Sequence, residues 1–211
     1  MQLEFTHDDL VTAVRRKVKD LILNNYLQPG SKIRQEDLAR SLGVSRTPII
    51  KALYMLVADN LVTYTSRRGF TVKELTTREM AEIFYVRELL EGACARETAE
   101  KATEDEIEEL RGYFAGFGGN WDRETEMRYM ASDKAFHERL YEIAAVPLIL
   151  RINEMFSILR VSYQRGLFRD CNESLSEHLA LIEAIRKRNA DLAERLARYH
   201  TAQARAAMLK R

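Results

Sequence analysis

The sequence predicts a mostly α-helical protein, with an N-terminal winged helix-turn-helix followed by an all-α antiparallel helical bundle. Three observations support this fold class. Breaking residues at Pro29, Gly43 and Gly69 divide residues 1–75 into short elements. Apolar side chains recur at helical spacing through residues 76–211, where no strand is needed. The charge balance also changes between these two ranges, so we expect each of them to be a separate domain.

The composition fits a folded, water-soluble protein. The chain has 211 residues, of which 46% are hydrophobic and 31% charged. Its two cysteines, Cys94 and Cys171, lack the spacing of a metal or redox motif and cannot form a disulfide framework. The sequence contains neither an apolar run long enough to span a membrane nor the apolar core of a signal peptide. We therefore expect a cytoplasmic protein without a membrane partner.

The overall net charge of +1 conceals an asymmetry between the two ranges. Residues 1–75 contain 12 Lys and Arg against 8 Asp and Glu, a balance of +4. Residues 76–211 contain 21 against 24, a balance of −3. Near-neutrality is thus no argument against nucleic acid, and the basic N-terminal part is where such contact is expected.

The elements of the N-terminal part follow in order. Helical spacing of apolar residues predicts a first helix over residues 8–26. A two-turn helix around Leu38 then ends at Gly43, which supplies the left-handed conformation typical of a helix end. Ser45 is a favourable N-cap for the next helix, and Pro48 is tolerated in its first turn. This order is that of a helix-turn-helix.

A β-hairpin is predicted after the second helix of this motif. The segments LVTYT and FTV read as strands, and SRRG as the turn between them. Arg67 and Arg68 lie at the predicted tip, from which a side chain can reach a phosphate or the minor groove. The hairpin would be the wing of a winged helix-turn-helix.

The positions of several polar residues favour DNA as the partner. Ser45, Arg46 and Thr47 lie at the start of the second helix, the end that enters the major groove in this motif. Arg46 could contact guanine or phosphate, and Arg34 could hold the DNA backbone from the start of the preceding helix. The alternatives are a solvated charged turn, or a helix-turn-helix that contacts only protein.

The C-terminal part is expected to contain six helices. Thr76 with Glu79, and Thr103 with Glu106, have the spacing of helix-capping boxes. Pro147 is placed where a helix can begin. Breakers and caps together predict helices over residues 77–100, 104–117, 121–144, 147–166, 172–188 and 190–210.

Three of the four histidines in the chain fall on three different helices of this part. Asp133 precedes His137 by four residues, so both project from one helix face. His178 lies in an apolar stripe, and His200 lies one turn beyond Leu196. Imidazoles with one carboxylate suit a borderline divalent cation. The alternative is three histidines that are satisfied separately in the core.

Arg87 shares a helix face with apolar side chains, which is unusual for a guanidinium. A buried Arg requires an anion, and its planar fork matches a carboxylate. The alternative is an ion pair with Glu91, four residues further along the same helix.

The run GSKIRQEDLARSLGVSRTPIIKAL, followed by SRRGFTV, resembles the DNA-binding domain of GntR-type bacterial transcription regulators. Arg34, Ser45, Arg46, Thr47 and Gly69 match positions that members of this family use on operator DNA. The resemblance implies a homodimer that binds a double-stranded, pseudo-palindromic operator.

One departure from the family concerns the second helix. Family members usually carry Arg and Glu at the positions of Ile50 and Lys51. The resemblance therefore implies that one usual base contact is missing, and that the operator differs from the family's common one.

The runs DKAFHERLYEIAAVPLIL and EHLALIEAIRKRNADLAERLARYH resemble the FCD effector-binding domain of the FadR subfamily. Six helices are typical of its VanR-type members. Asp133, His137, His178 and His200 match all four ligands with which metal-binding members hold one divalent ion per chain, often zinc or nickel. VRELLEG matches the segment whose Arg, here Arg87, contacts the carboxylate of an effector.

The leading hypothesis is a transcription regulator, a repressor, whose operator affinity is controlled by a small carboxylate bound at the metal. A first alternative is a regulator for which the metal ion itself is the signal. A second is a helical metalloenzyme that uses the Asp and three His. No catalytic base is apparent from the sequence, and the DNA-binding motif favours a regulator over an enzyme.

Overall fold

A computed structural model describes residues 7–155 and 169–210 of the chain. Among the residues up to Glu154, contacts divide the chain between Thr76 and Thr77 into two compact units. The first unit contains α1 (His7–Leu23), α2 (Gln35–Leu42), α3 (Arg46–Ala58), β1 (Val62–Thr65) and β2 (Gly69–Val72). The second contains α4 (Thr77–Lys101), α5 (Glu104–Gly112), α6 (Arg123–Ala144), α7 (Pro147–Met155), α8 (Cys171–Arg186) and α9 (Ala190–Leu209).

The first unit is the expected helix-turn-helix. Helix α2 ends at Gly43, whose φ of 66° is left-handed and whose N–H donates to the carbonyl of Arg40 over 3.3 Å. Ser45 occupies the N-cap position of α3, but its side chain makes no capping hydrogen bond. Helix α1 ends three residues earlier than predicted, because Asn25 adopts a left-handed φ of 58° that stops the helix.

The core of the first unit lies between α1 and α3. Apolar side chains from one face of each helix are buried there: Val11, Val14, Val18 and Ile22 from α1, and Ile49, Ala52, Leu53 and Leu56 from α3. Arg15 of α1 also forms a bidentate ion pair with Asp59 at the end of α3, over 2.7–2.9 Å. The two helices are therefore fixed to each other at their flank as well as in the core.

The wing is an antiparallel hairpin in which Thr65 pairs with Gly69. The burial of β1 does not alternate between its two faces, since only Val62 of its residues is buried. Tyr64 nevertheless packs against Phe70, with their ring centroids 4.8 Å apart. The N–H of Ile33 donates to the carbonyl of Phe70 over 2.9 Å, which joins the segment before α2 to the wing.

Within the described residues, helix ends in the second unit lie within two residues of the prediction, except that α5 ends five residues early. Helix α5 ends at Gly112 rather than at residue 117, because the next residues continue as short turns with bonds such as Phe117 N–H to the Phe114 carbonyl. Helix α6 begins after Asp122, which accepts a capping bond from the N–H of Thr125 over 2.8 Å. The predicted helix over 147–166 begins at Pro147 as expected, and its portion from residue 156 to 166 lies outside the described residues.

The core of the second unit is built mainly from α4, α6, α8 and α9. Gly92 allows the close approach of α4 and α9, since a Cβ there would lie 2.5 Å from Cγ of Arg198. The largest fully buried side chains are Tyr129, Phe136, Ile107, Leu110, Leu140, Leu181 and Ile185. Several polar side chains are buried with them, namely Arg87, Glu91, Thr98, His137, Ser174, His178, His200 and Thr201. This polar cluster contains four of the five residues that the sequence assigned to a site in this unit, Arg87, His137, His178 and His200. Within the described part of the chain, no helix combines the length and the apolar character needed to cross a membrane.

Candidate DNA-binding groove and candidate metal centre

Five of the seven residues proposed to contact DNA line one groove of about 500 Å³ in the first unit. They are Arg34, Arg46, Arg67, Arg68 and Gly69. The groove forms because the hydrogen bond of Ile33 to Phe70 holds the start of α2 against the wing. The four guanidinium side chains are exposed, as contacts to phosphate or base edges require.

The other two residues lie at the start of α3. Ser45 and Thr47 are exposed there but do not line the groove. Ile50 is half-buried and Lys51 exposed on the same helix, so both substitutions relative to the family lie at its accessible side.

Helix α2 determines where the Arg46 side chain lies. Its guanidinium is 3.0 Å from Oε1 of Glu36 and donates to Oε1 of Gln35 over 3.1 Å. Both partners are in the first turn of α2. The sequence did not predict these contacts of Arg46 with α2.

Four candidate ligands converge in the second unit. Helix α6 carries Asp133 and His137, α8 carries His178, and α9 carries His200. One ligand atom from each lies within 4.8 Å of all the others. The Nε2 atoms of His137 and His178 are 3.3 Å apart, and each faces Oδ1 of Asp133, at 3.8 Å and 3.4 Å respectively.

These separations fit a metal ion. Ligand bonds of about 2.1 Å in a tetrahedral arrangement would place ligand atoms about 3.4 Å apart. Oδ1 of Asp133 is buried and has no hydrogen-bond partner. The three imidazoles and one carboxylate are a donor set suited to zinc or nickel. The residues present therefore fit a divalent cation held by Asp133, His137, His178 and His200.

His178 is oriented by a neutral partner. Its Nδ1 lies 2.9 Å from the hydroxyl of Tyr129, which in turn donates to Oγ of Ser174 over 2.9 Å. Because that hydroxyl gives its proton to Ser174, it accepts one from His178, and Nε2 is left to face the other ligands. The His178 ring also stacks on Phe114 with centroids 4.5 Å apart. Burial, with His200 and His137 close by, holds the pKa of His178 well below its usual range, so the ring is neutral as a ligand must be.

His200 contacts a carboxylate. Its Nδ1 is 2.8 Å from Oε2 of Glu177, and Arg169 donates to both oxygens of that carboxylate, over 2.6 Å and 2.5 Å. Burial alone would raise the pKa of Glu177, but the hydrogen bonds from His200 and Arg169 outweigh burial and lower it to about 2. Glu177 is therefore a charged acceptor at neutral pH.

His137 faces a second carboxylate, that of Glu91. Its Nδ1 lies 3.2 Å from Oε2 of Glu91, which also accepts from Oγ1 of Thr201 over 2.7 Å. Oε1 of Glu91 accepts from Arg87 over 2.7–2.9 Å. Burial opposes the charge of Glu91, but Arg87, His137 and Thr201 outweigh burial and hold its pKa well below the usual range. Burial likewise acts to lower the pKa of His137, yet Glu91 raises it overall, which makes the imidazole a more basic ligand.

Arg87 is thus buried and paired with Glu91, the alternative that the sequence left open. Its assignment to an effector remains a prediction. The sequence reasoning missed the supporting roles of Glu91, Tyr129, Glu177 and Arg169. Only Glu91 carried a local signal, its spacing of four residues from Arg87, because the other partners meet through tertiary packing.

Comparison with known proteins gives two family matches. Residues 10–72 match the family described as bacterial regulatory proteins, gntR family, and residues 82–203 match the FCD domain. The uncharacterized HTH-type transcriptional regulator YdhC of Bacillus subtilis is 28% identical over 185 residues, which cover 84% of this chain and 81% of that protein. The probable D-xylose utilization operon transcriptional repressor of Paenarthrobacter nicotinovorans is 26% identical over 200 residues, 90% of this chain and 87% of that protein.

A solved structure extends the likeness to the fold. The Escherichia coli protein McbR/YncC superposes with a TM-score of 0.71 at 19% identity, over 95% of this chain and 97% of that one. The matched proteins are transcription regulators rather than enzymes.

Proposed function

Because the chain belongs to the GntR family of DNA-binding transcription regulators and carries an FCD domain, we propose that it is a repressor released by a small carboxylate effector. Residues 1–75 would form the DNA-binding domain and residues 76–211 the effector domain. Two copies would bind a pseudo-palindromic operator as a homodimer, with one α3 in each of two successive major grooves. The repressor named among the relatives, from Paenarthrobacter nicotinovorans, supports the sign of regulation.

The observation that carries the DNA part of the proposal is the convergence of Arg34, Arg46, Arg67 and Arg68 on one groove. Four guanidinium groups in one concave surface create a positive potential that attracts phosphate. Arg46, at the start of α3, is the candidate for bidentate contact with guanine. Ser45, Thr47 and Gly69 would contact the DNA backbone from the same region.

The charges of the second unit support a carboxylate effector. Arg87 is paired with Glu91, and Arg169 with Glu177, so these four charges cancel. The charge of Asp133 remains, and with a divalent cation the centre would carry a net +1. Zinc or nickel bound there would supply Lewis acidity that attracts an anion. Arg87 is linked to the same centre through Glu91 and His137, which supports its proposed role beside the effector carboxylate.

Operator selection from a random duplex library, followed by fluorescence anisotropy near 0.15 M salt, tests the proposal. We expect the selected operator to bind about 10³-fold or more tightly than a scrambled duplex. The variant Arg46→Ala should weaken operator binding by a factor of about 10 to 100, since a bidentate base contact contributes about 1–3 kcal/mol. Arg40→Ala is the matched control, because Arg40 is exposed on α2 but does not line the groove. Equal affinity for the operator and the scrambled duplex would contradict the proposal.

The same assay separates the effector from the metal as the signal. Zinc is titrated against the protein–operator complex alone and then with acetate, malate or citrate present. Release only when a carboxylate is added supports the proposed effector. Release by zinc alone supports the alternative, a metal-responsive regulator, for which the convergent ligands Asp133, His137, His178 and His200 are the favouring observation.

A further inference from the structure

We propose that Glu177, held by Arg169, is a positioning residue that orients His200 toward the metal centre. The inference deepens the proposed function and rests on its metal site. It assigns a role to a carboxylate that is not one of the four candidate ligands and that is held by Arg169, a buried arginine just before the start of α8.

The contact of Glu177 with His200 determines which ring nitrogen carries the proton. Oε2 of Glu177 lies 2.8 Å from Nδ1 of His200. An ionised carboxylate only accepts hydrogen bonds, and a neutral imidazole has a single N–H. Nδ1 therefore carries a proton in this contact, which leaves Nε2 as the nitrogen of His200 that can bind a metal. Without Glu177, both tautomers would be available to His200.

Arg169 keeps Glu177 in this orientation. Its Nη1 donates to Oε2 over 2.6 Å and its Nη2 to Oε1 over 2.5 Å, the geometry of a bidentate pair. Nη1 also donates to the backbone carbonyl of His200 over 3.4 Å. The Arg169 side chain is only 6% exposed, so its charge has little solvent to compensate it if Glu177 turns away. Arg169 thus contacts both the carboxylate and the backbone of the histidine that the carboxylate orients.

His200 depends on such support more than the other two histidines. It is 7% exposed, whereas His178 is fully buried and stacked on Phe114. His137 shares its helix with Asp133, so one backbone segment positions two ligands. His200 is the only one of the four candidate ligands contributed by α9. The hydrogen bond that His200 donates to Glu177 of α8 aligns it with the ligands of the other helices.

The test compares Glu177→Gln with Glu173→Gln in the full-length protein. Glu173 is one turn earlier on α8 and 3.7 Å from the same Arg169, but its side chain is 70% exposed. Zinc affinity is measured by competition with a chromophoric chelator. We expect Glu177→Gln to weaken zinc binding by a factor of about 10 to 100, the usual effect of removing such a partner. Glu173→Gln should stay within about twofold, although it removes the same charge from the same helix.

A second measurement needs no metal. The ¹⁵N chemical shifts of the imidazoles, in protein freed of metal, report which nitrogen of His200 is protonated. We expect the Nδ1–H form in the wild type and a mixture of tautomers in Glu177→Gln. Glu177→Asp, which keeps the charge but draws the carboxylate back, should shift both readouts in the same direction even if Glu177→Gln does not fold.

Two results would overturn the inference: wild-type zinc affinity in both Glu177 variants, or an Nε2–H form of His200 in the wild type. A wild type that binds neither zinc nor nickel would instead overturn the metal part of the proposed function. The tautomer measurement would still decide the role of Glu177 in that case, so the two failures are distinguishable.

Discussion

The buried ionisable residues of the second unit are arranged so that each has a specific partner. Asp133 and His137 could be paired from their spacing alone, because side chains four residues apart share a helix face. The contacts of His178 with Tyr129 and of His200 with Glu177 join residues 49 and 23 positions apart. No local pattern encodes such pairs, since they depend on how the helices pack. The resemblance to a family supplied the ligands, but not the residues that orient them.

Burial increases the loss of stability expected when one partner of the Arg87–Glu91 ion pair is removed. We expect Arg87→Met to destabilise the second unit by about 3 kcal/mol, because removing one partner of a buried ion pair leaves the other charge uncompensated. Thr201 and His137 would still contact Glu91, which places the expected loss at the lower end of the usual range. Denaturant unfolding followed by fluorescence measures the effect in this unit alone, since Trp121 is the only tryptophan in the chain.

The matched control for this change lies on the same helix. Arg78 and Glu82 have the same spacing of four residues on α4, but their side chains are 90% and 65% exposed. Arg78→Met should change the free energy of unfolding by less than about 0.5 kcal/mol. Equal effects of the two substitutions would show that burial of Arg87 does not determine its contribution.

The two ends of α5 differ in how far the local sequence determines them. Thr103 and Glu106 form the capping box that their spacing predicts, because all the atoms involved belong to one turn. The end of α5 was predicted at residue 117, whereas the helix stops at Gly112. Gly116, Gly118 and Gly119, which are helix breakers, adopt positive φ, but they shape the loop that follows the helix. Breakers thus locate a loop better than they locate the last helical residue.

Substitution by alanine should affect helix stability differently at the two predicted N-caps, Thr103 and Ser45. Thr103→Ala should lower the opening free energy of α5 by about 1 kcal/mol, since it removes the bond that the Thr hydroxyl accepts from the Glu106 N–H over 3.2 Å. Ser45→Ala should leave α3 within about 0.5 kcal/mol, because the Ser45 side chain makes no capping bond. Hydrogen exchange of the amides in the first turn of each helix measures both values. A loss at Ser45 as large as that at Thr103 would contradict this reasoning.

At the scale of the whole molecule, charge and function are distributed unequally between the two units. The basic residues proposed for DNA line a groove in the first unit, and the candidate ligands lie in the second. The charge balances of +4 and −3 over residues 1–75 and 76–211 already indicated this division in the sequence. The meeting point of three histidines from three helices could not be located that way, because it requires the packing of α6, α8 and α9.

Metal removal should therefore act on one unit and spare the other. A ligand that binds only the folded state stabilises it by about 2.7 kcal/mol when its free concentration is 100 times its dissociation constant. We expect EDTA to remove this contribution from the unit that contains Asp133 and the three histidines. Hydrogen exchange read separately for α3 and α9 should show lost protection in α9 alone. His178→Ala provides the control: without one ligand, zinc and EDTA should leave the protection of α9 nearly unchanged. Equal loss of protection in α3 and α9 on chelation would mean that the metal stabilises more than the unit that contains its ligands, and would contradict the assignment of the site.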